Sequence, residues 1–277
     1  MALIDLILNL AALLLWLKWR DQSPELSMPK ISLIVTLKKA GPRSPRIWFL
    51  IGLVTLLLLR SVLYWQLGSA LDWTPRIWFG VIPLPFRSDL LGRMLVFSFF
   101  SFGVALAFLY LSLLLLSILN SKKVGGDPIQ NLAQQQLGKL EALPTVLKLL
   151  LPWFTMILLW FLLGKPLEAL GILAAPQAVQ YGLAQGAVTG LGIYLAWKYL
   201  IVGVLLLHVL SSYVYFGSGP FWIFIDHTAR RILRFLSWIP LRLGKIDFAP
   251  LAAMALVIFA AEYGGRGLIW IYQRLPI

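Results

Sequence analysis

Apolar residues fall in long blocks along the chain, and these blocks are separated by stretches rich in basic residues, proline or glycine. An α-helix rises about 1.5 Å per residue, so crossing roughly 30 Å of hydrocarbon takes about 20 mostly apolar residues. Six blocks meet this requirement with different margins: 2–17, 47–65, 94–119, 147–163, 191–214 and 248–272. The pattern therefore predicts an all-α fold, a polytopic transmembrane protein with six helical spans.

Two parts of this pattern leave alternatives open. The block at 2–17 is short and contains Asp5, with Trp16 and Trp19 placed as interfacial anchors at its end. It lacks the basic start and the small-residue cleavage site of a removable signal peptide, so we expect a retained helix. The stretch 164–190 contains Gly, Gln and Pro, and we expect a loop, an interfacial helix or a re-entrant segment there.

Composition excludes a soluble globular domain and argues against catalysis. The sequence is 60% hydrophobic and only 13% charged, with a mean hydropathy of +0.85. It has no cysteine, two histidines (His208 and His227), and neither a His-Glu-x-x-His nor a Gly-x-Ser-x-Gly motif. We therefore expect no catalytic residue, no cofactor and no metal site.

The basic residues predict the sidedness of the spans. Most of the lysines and arginines behind the formal charge of +13 lie in three loops, and positively charged loops resist translocation. We therefore expect a multi-pass protein of the cytoplasmic (inner) membrane, with these three loops in the cytoplasm and both termini outside. Nucleic-acid binding is not expected, because the basic residues flank spans and form no continuous aromatic-interleaved face. The three loops hold Lys18, Arg20, Lys30, Lys38, Lys39, Arg43 and Arg46; Lys122, Lys123 and Lys139; and Arg230, Arg231, Arg234, Arg242 and Lys245.

The second half of the chain contains a degenerate repeat. In each copy an apolar span is followed by a proline, an amphipathic segment, a second proline, and a third proline that opens the next span. The plan predicts three regions: an N-terminal region with two spans and a basic loop (1–93), a first repeat (94–171) and a second repeat (187–272). The matching prolines are Pro128, Pro144 and Pro152 in the first copy, and Pro220, Pro240 and Pro250 in the second.

The amphipathic segment of the second copy predicts a helix that lies on the cytoplasmic face of the membrane. Apolar residues recur there at spacings of three and four, while Arg230, Arg231 and Arg234 occupy the other face. Such arginines hold anionic lipid headgroups at about 1 kcal/mol each near the surface. The plain alternative is a segment that only connects two spans and rests on the membrane.

The repeat and its terminal motif carry a family resemblance. At Arg230-Arg231-Ile232-Leu233, and at Gly244-Lys245-Ile246-Asp247-Phe248-Ala249-Pro250-Leu251 before the last span, the sequence resembles the YggT (YlmG) family. The resemblance covers about 97–270. It implies a doubled unit of two helices, signature positions at Pro220, Gly244, Asp247 and Pro250, and a non-enzymatic role in membrane-associated assembly. Family members are linked to cell division, envelope organisation, haem attachment to a cytochrome and osmotic tolerance.

Ionisable residues inside or beside the spans are the remaining candidates. Lys198 and Glu262 lie at overlapping depths, so a pair between the last two spans would mark a path for ions or protons. Glu262 also precedes Arg266 by four residues, the favourable order for a pair on one helix. Asp247 is placed to cap the N-terminus of the last span.

Other charged residues have a plain explanation at this stage. Asp5, Arg60 and Lys148 lie near predicted span ends, where we expect their side chains to reach the interface. His208 lies near the cytoplasmic end of the fifth span, where a single histidine can ligate haem, titrate, or simply rest at the interface.

The sequence thus leads to two functional hypotheses. The first is a YggT-type scaffold or assembly factor, with anionic lipid and an unidentified membrane or cytoplasmic protein as partners, and with homo-oligomerisation left open. The second is a small ion transporter or channel component that uses Lys198 and Glu262.

Overall fold

The structure is a computed structural model that describes residues 2–20, 47–71, 73–120, 135–173, 179–214, 219–236, 242–243 and 246–275. Within these ranges the predicted all-α fold is confirmed, with two short antiparallel strand pairs in addition. The helices are α1 (Ala2–Arg20), α2 (Ile47–Ala70), α3 (Leu91–Leu119), α4 (Thr145–Ala169), α5 (Val179–Gly192), α6 (Trp197–Tyr213), α7 (Pro220–Leu233) and α8 (Ala249–Gln273). The strands are β1 (Arg76–Phe79), β2 (Ile82–Pro85), β3 (Arg242–Leu243) and β4 (Ile246–Asp247).

Five helical segments of the described chain are long and apolar enough to cross a membrane. They are Ile47–Gly68, Leu91–Leu119, Thr145–Ala169, Tyr181–Tyr213 and Ala249–Gln273. The protein is therefore a multi-pass integral membrane protein. The first predicted span is helical as expected, but α1 carries Asp5, Lys18 and Arg20 within 19 residues and is not one of the five. Its crossing of the membrane stays a prediction.

The stretch left open at 164–190 is largely helical. α4 continues to Ala169, and α5 continues through a 3₁₀ turn (Ile193–Ala196) into α6, so that Tyr181–Tyr213 forms one apolar segment of 33 residues. Small residues let α5 pack closely on α4. A Cβ atom at Gly190 would lie 2.7 Å from Cδ1 of Trp153, and the Trp153 indole donates a hydrogen bond to the Ala187 carbonyl at 3.0 Å. This close approach is the usual role of small residues between membrane helices.

Contacts divide the chain into two compact units, each of which is described by itself. The first comprises Met1–Pro75 and Arg87–Leu106, and the second comprises Arg76–Phe86 and Ala107–Ile277. The core of the first unit is formed by Ala12 of α1, Leu53 and Leu57 of α2, and Phe102 of α3. The predicted regions 1–93, 94–171 and 187–272 rest on similarity within the sequence, and they stay a prediction.

The second unit contains a β-hairpin that packs on α4 and α5. Strands β1 and β2 are joined by the two-residue turn Gly80-Val81, and Gly80 has a φ of 65°. Glycine is needed there for two reasons, because this backbone conformation is unfavourable for other residues and because a Cβ would collide with the Thr189 carbonyl oxygen. The Phe79 ring stacks on Trp160 with the centroids 5.8 Å apart.

Candidate functional site

The predicted surface helix is α7, and its buried face fixes it to the second unit. Pro220 follows Gly219 and occupies the first turn, where its missing N–H costs no hydrogen bond. Five residues at helical spacing are buried: Phe224, Ile225, Thr228, Ala229 and Ile232. Their apolar members share one core with Leu116 of α3, Val204 and Leu205 of α6, and Ala253 of α8. α7 is therefore held by three other helices.

The three arginines predicted for one face of α7 have different environments. The Arg230 side chain is 73% exposed, and its Nε lies 2.9 Å from Oδ2 of Asp226, one turn earlier. Arg234 is exposed and opens the 3₁₀ turn Arg234–Leu236. Arg231 is partly buried instead, and its Nη1 donates a hydrogen bond to the carbonyl of Leu119, the last residue of α3. The outward face of α7 thus carries two arginines, and the third fastens the helix.

The C-terminus of α3 contacts side chains of α7. Asn120 donates through Nδ2 to Oγ1 of Thr228 at 3.1 Å, and Arg231 occupies the Leu119 carbonyl. The last carbonyls of a helix have no partner within the helix and carry partial negative charge, so cationic donors are favoured there. The Arg231 bond satisfies one of these carbonyls, and the two contacts together tie α7 to the end of α3.

Lys148 corrects the expectation of a side chain that reaches the interface. It is buried in the first turns of α4, and its Nζ donates to the Ser117 hydroxyl at 2.9 Å. Ser117, in the last turn of α3, is the partner of this side chain. Sequence position alone gave no sign of that neighbour.

His208 and Asp226 bring α6 and α7 together. Nδ1 of His208 lies 3.3 Å from Oδ1 of Asp226, but the angles do not make a hydrogen bond, and this nitrogen has no hydrogen-bond partner among the described residues. The His208 carbonyl accepts hydrogen bonds from the hydroxyls of Ser211 and Ser212, each at 2.8 Å. In the described part of the chain, no group of three or more His, Asp or Glu side chains could hold a metal ion.

Two of the four signature residues, Asp247 and Pro250, lie at the start of α8. Oδ1 of Asp247 accepts a hydrogen bond from the backbone N–H of Ala249, the first residue of α8, at 2.9 Å. Pro250 is buried in the first turn of α8, and the exposed Pro220 opens α7. Gly244 lies outside the described residues, between β3 and β4. Asp247 therefore supplies an acceptor to one of the free N–H groups at this helix terminus.

Lys198 and Glu262 do not pair with each other in the structure. Nη2 of Arg266 lies 3.0 Å from Oε1 of Glu262 on the same helix, and both side chains are exposed. Nζ of Lys198 lies 5.0 Å from the ring centroid of Tyr199. A partner one turn away on the same helix can be reached without bringing two spans together, which favours the arrangement observed.

A second site lies in the first unit, and sequence reasoning missed it. We define the charge cluster as Asp5, Asn9, Arg60, Tyr64 and Ser101. Arg60 is 2% exposed; its Nη2 donates to Oδ1 of Asp5 and its Nη1 to Oδ1 of Asn9, each at 2.7 Å. The expectation that Asp5 and Arg60 each reach the interface is therefore corrected, because the two side chains bind each other. They form an ion pair between α1 and α2.

The remaining members of the charge cluster add hydrogen bonds to the Asp5 carboxylate and to one another. The Tyr64 hydroxyl donates to Oδ1 at 3.1 Å, and the Ser101 hydroxyl lies 3.3 Å from Oδ2. Asn9 donates to Ser101 at 2.9 Å. The guanidinium carbon of Arg60 also lies 5.2 Å from the centroid of the Tyr64 ring, within range of a cation–π interaction. The charge cluster is thus neutral overall, and each member makes at least one hydrogen bond, while Nε of Arg60 has no hydrogen-bond partner among the described residues.

The charge cluster was missed because the end of α2 was misplaced. The apolar block suggested an end at Trp65, which put Arg60 close to the interface, but α2 continues to Ala70. A usable signal was present. Asp5 and Asn9 are four residues apart, as are Arg60 and Tyr64, so each helix carries one polar stripe within an apolar surface.

Comparison with known proteins does not extend these observations, because no family model matches the chain and neither does any curated protein or solved structure.

Proposed function

We propose that this multi-pass membrane protein is a non-enzymatic scaffold or assembly factor of the YggT type. In this proposal it lies in the cytoplasmic membrane with its basic loops in the cytoplasm, and it acts through the exposed face of α7. One observation carries the proposal: α7 is fixed by a buried apolar face while Arg230 and Arg234 stand exposed on the other side.

The charge of this face suits anionic lipid. An arginine near an anionic membrane surface contributes about 1 kcal/mol of attraction, and this attraction falls off within a Debye length. Asp226 offsets part of the charge of Arg230 but leaves its side chain largely exposed. Arg234 adds a further exposed arginine in the next turn.

The fixed position of α7 suits a protein partner as well. Binding to a segment that is already ordered avoids the entropy cost of ordering it on association. Arg231 of α7 binds the Leu119 carbonyl at the end of α3, and Asn120 binds Thr228 of α7. These two contacts hold α7 in a fixed position. An arginine-bearing surface of this kind favours an acidic cytoplasmic or juxtamembrane segment of a partner protein.

Site-specific photocrosslinking in intact membranes tests the proposal. A photoreactive residue replaces the exposed His227 on α7, and a second chain carries it at the exposed Ile258 on α8 as a control. We expect a discrete protein adduct from α7 and lipid adducts from α8. Changing Arg230 and Arg234 to Gln should lower the yield of the protein adduct about tenfold or more, because each charge contributes about 1 kcal/mol near the surface and Asp226 offsets only part of that of Arg230.

A charge-matched control makes the result specific. Changing Arg266 in α8 and Arg274 directly after it to Gln removes the same charge from the chain and should leave the α7 adduct unchanged. An adduct that is absent, or equally reduced by both pairs of changes, would contradict the proposal. Ion flux into proteoliposomes that depends on Lys198 and Glu262 would favour a transporter or channel component instead.

A further inference from the structure

α1 lies antiparallel along α2 over most of its length. Asp5 and Asn9 contact Arg60, and Ala12 shares a core with Leu53 and Leu57. Further along, a Cβ atom at Gly52 would lie 3.9 Å from Cδ2 of Leu15. Residues later in α1 therefore contact residues earlier in α2, which is the order of contacts in an antiparallel helix pair.

This register places the charge cluster deep in the membrane. Arg60 lies about 20 Å along the axis from the Ile47 end of α2 and about 15 Å from the Ala70 end. Since Ile47–Gly68 is long and apolar enough to cross the roughly 30 Å hydrocarbon layer, Arg60 falls inside it. α1 follows α2 from Arg60 back to Gly52 and therefore lies in the same layer.

Each charge of the pair would be unfavourable in that layer without the other. An isolated arginine or aspartate inside hydrocarbon resists insertion, and one partner left buried alone is strongly destabilising. Together Asp5 and Arg60 are neutral, and they are hydrogen-bonded to each other at 2.7 Å. Arg60 also stacks near the aromatic rings of Tyr64 and Phe97, at 5.2 and 6.0 Å from their centroids.

We propose that the Asp5–Arg60 pair is an insertion latch, through which α1 and α2 enter and stay in the membrane as one neutral helix pair. α1 is then the sixth span, and α2 depends on it to shield Arg60. Asn9, Tyr64 and Ser101 position the two charged groups. This inference does not depend on the function proposed for α7.

The test measures docking of α1 on α2 in the full-length chain within membranes. Cysteines replace Leu15 and Gly52 in a sequence that has no other cysteine, and a protease site is placed between residues 21 and 46. A bifunctional maleimide then joins the two helices, and after cleavage the crosslinked fraction keeps the fragments together. The two-cysteine chain that keeps Asp5 and Arg60 should crosslink efficiently.

Single and double variants distinguish a role of the Asp5–Arg60 pair from separate roles of the two residues. We expect Asp5→Leu and Arg60→Leu each to lower the crosslinked fraction about fivefold or more, since each leaves a buried charge alone. The double variant Asp5→Leu with Arg60→Leu should recover most of it, as should the exchanged pair Asp5→Arg with Arg60→Asp. Glu262→Leu, which breaks an exposed ion pair in α8, should have no effect and serves as the control.

Two results would overturn the latch. Single variants that crosslink as well as the original chain would show that the pair does not hold α1. Failure of both the apolar double variant and the exchanged pair to recover crosslinking would show that each residue is needed for a reason other than their pairing.

Discussion

Three basic side chains have different partners, and in each case the neighbouring helix supplies the partner. Arg60 meets a carboxylate, Arg231 meets the open carbonyl of a helix terminus, and Lys148 meets only the hydroxyl of Ser117 among the described residues. An ammonium group carries three donors, so a single neutral acceptor leaves Lys148 poorly compensated for its burial. Residue type and distance from a span end do not predict these differences.

The burial of the Lys148 ammonium group against a single acceptor leads to a prediction about stability. Ser117→Ala should lower the free energy of unfolding by about 1–3 kcal/mol, because it leaves a buried charged donor without its acceptor. Lys148→Met should be neutral or stabilising, since an apolar side chain of similar length replaces a buried charge. The two changes together should recover stability, as measured by unfolding of the purified protein in detergent.

The exposed Lys165 supplies the control for this prediction. Lys165→Met removes the same charge from the same helix and should change the free energy of unfolding by less than about 0.5 kcal/mol. A large loss of stability in Lys148→Met would show that the lysine has a compensating partner beyond Ser117.

Helix α5 packs closely on α4 because two of its glycines have no side chain at the interface. Gly186 faces Trp160 and Gly190 faces Trp153, with ideal Cβ positions 3.2 and 2.7 Å from the Cδ1 atoms of those rings. Two tryptophans of α4 therefore take the space that side chains on α5 would occupy. The same composition made this stretch resemble a loop in the sequence, because glycine usually marks a break in soluble proteins.

Gly190→Ala tests this packing. The added methyl group has to displace the Trp153 ring or its backbone, and overpacking of this kind costs about 1–3 kcal/mol. Gly203→Ala in α6 is the matched control, since nothing lies within 4 Å of its ideal Cβ and alanine favours a helix by about 1 kcal/mol. In thermal unfolding in detergent, we expect a lower midpoint temperature for Gly190→Ala and not for Gly203→Ala. Equal midpoints for the two variants would contradict this account of the α4 and α5 interface.

How far the sequence predicts the fold differs from helix to helix. The long uncharged block at 94–119 predicts α3 to within a few residues, because nothing in it offers an alternative. The arginine-bearing helix is equally readable from Pro220 onward, and Arg230 faces outward as its periodicity predicts. These features depend on local pattern, which one sequence contains.

The features that were not predicted depend on which helices are neighbours. Arg231 faces the end of α3 although it follows an outward-facing arginine, since one residue turns the helix by about 100°. Asp5 and Arg60 meet across two helices and a long connection. A single sequence gives the depth of such residues only through the helix ends, and the end of α2 was placed too early.

The proposed function depends on which side of the membrane each loop faces. The apolar segments establish that the chain crosses the membrane, whereas its direction rests on the distribution of lysine and arginine. Trp78 in β1 and His227 in α7 are exposed and should lie on opposite sides.

Labelling of single cysteines measures this directly, because the chain contains none of its own. Trp78→Cys should react with a membrane-impermeant maleimide on intact cells. His227→Cys should react only after the membrane is permeabilised, at least about tenfold more than before, because the basic flanks hold α7 in the cytoplasm. The opposite pattern would invert the topology and remove the cytoplasmic scaffold role.

The 3₁₀ turn at Ile193–Ala196 has a geometric consequence for the segment that contains it. In an uninterrupted helix Gly186 and Val204 would share one azimuth, since eighteen residues make about five full turns. A 3₁₀ turn advances by about 120° per residue where an α-helix advances by about 100°, so these four residues add about 80°. The seam with α4 and the seam with α7 and α8 are thereby set nearly a quarter-turn out of phase. One continuous helical segment can thus meet neighbouring helices in two different directions.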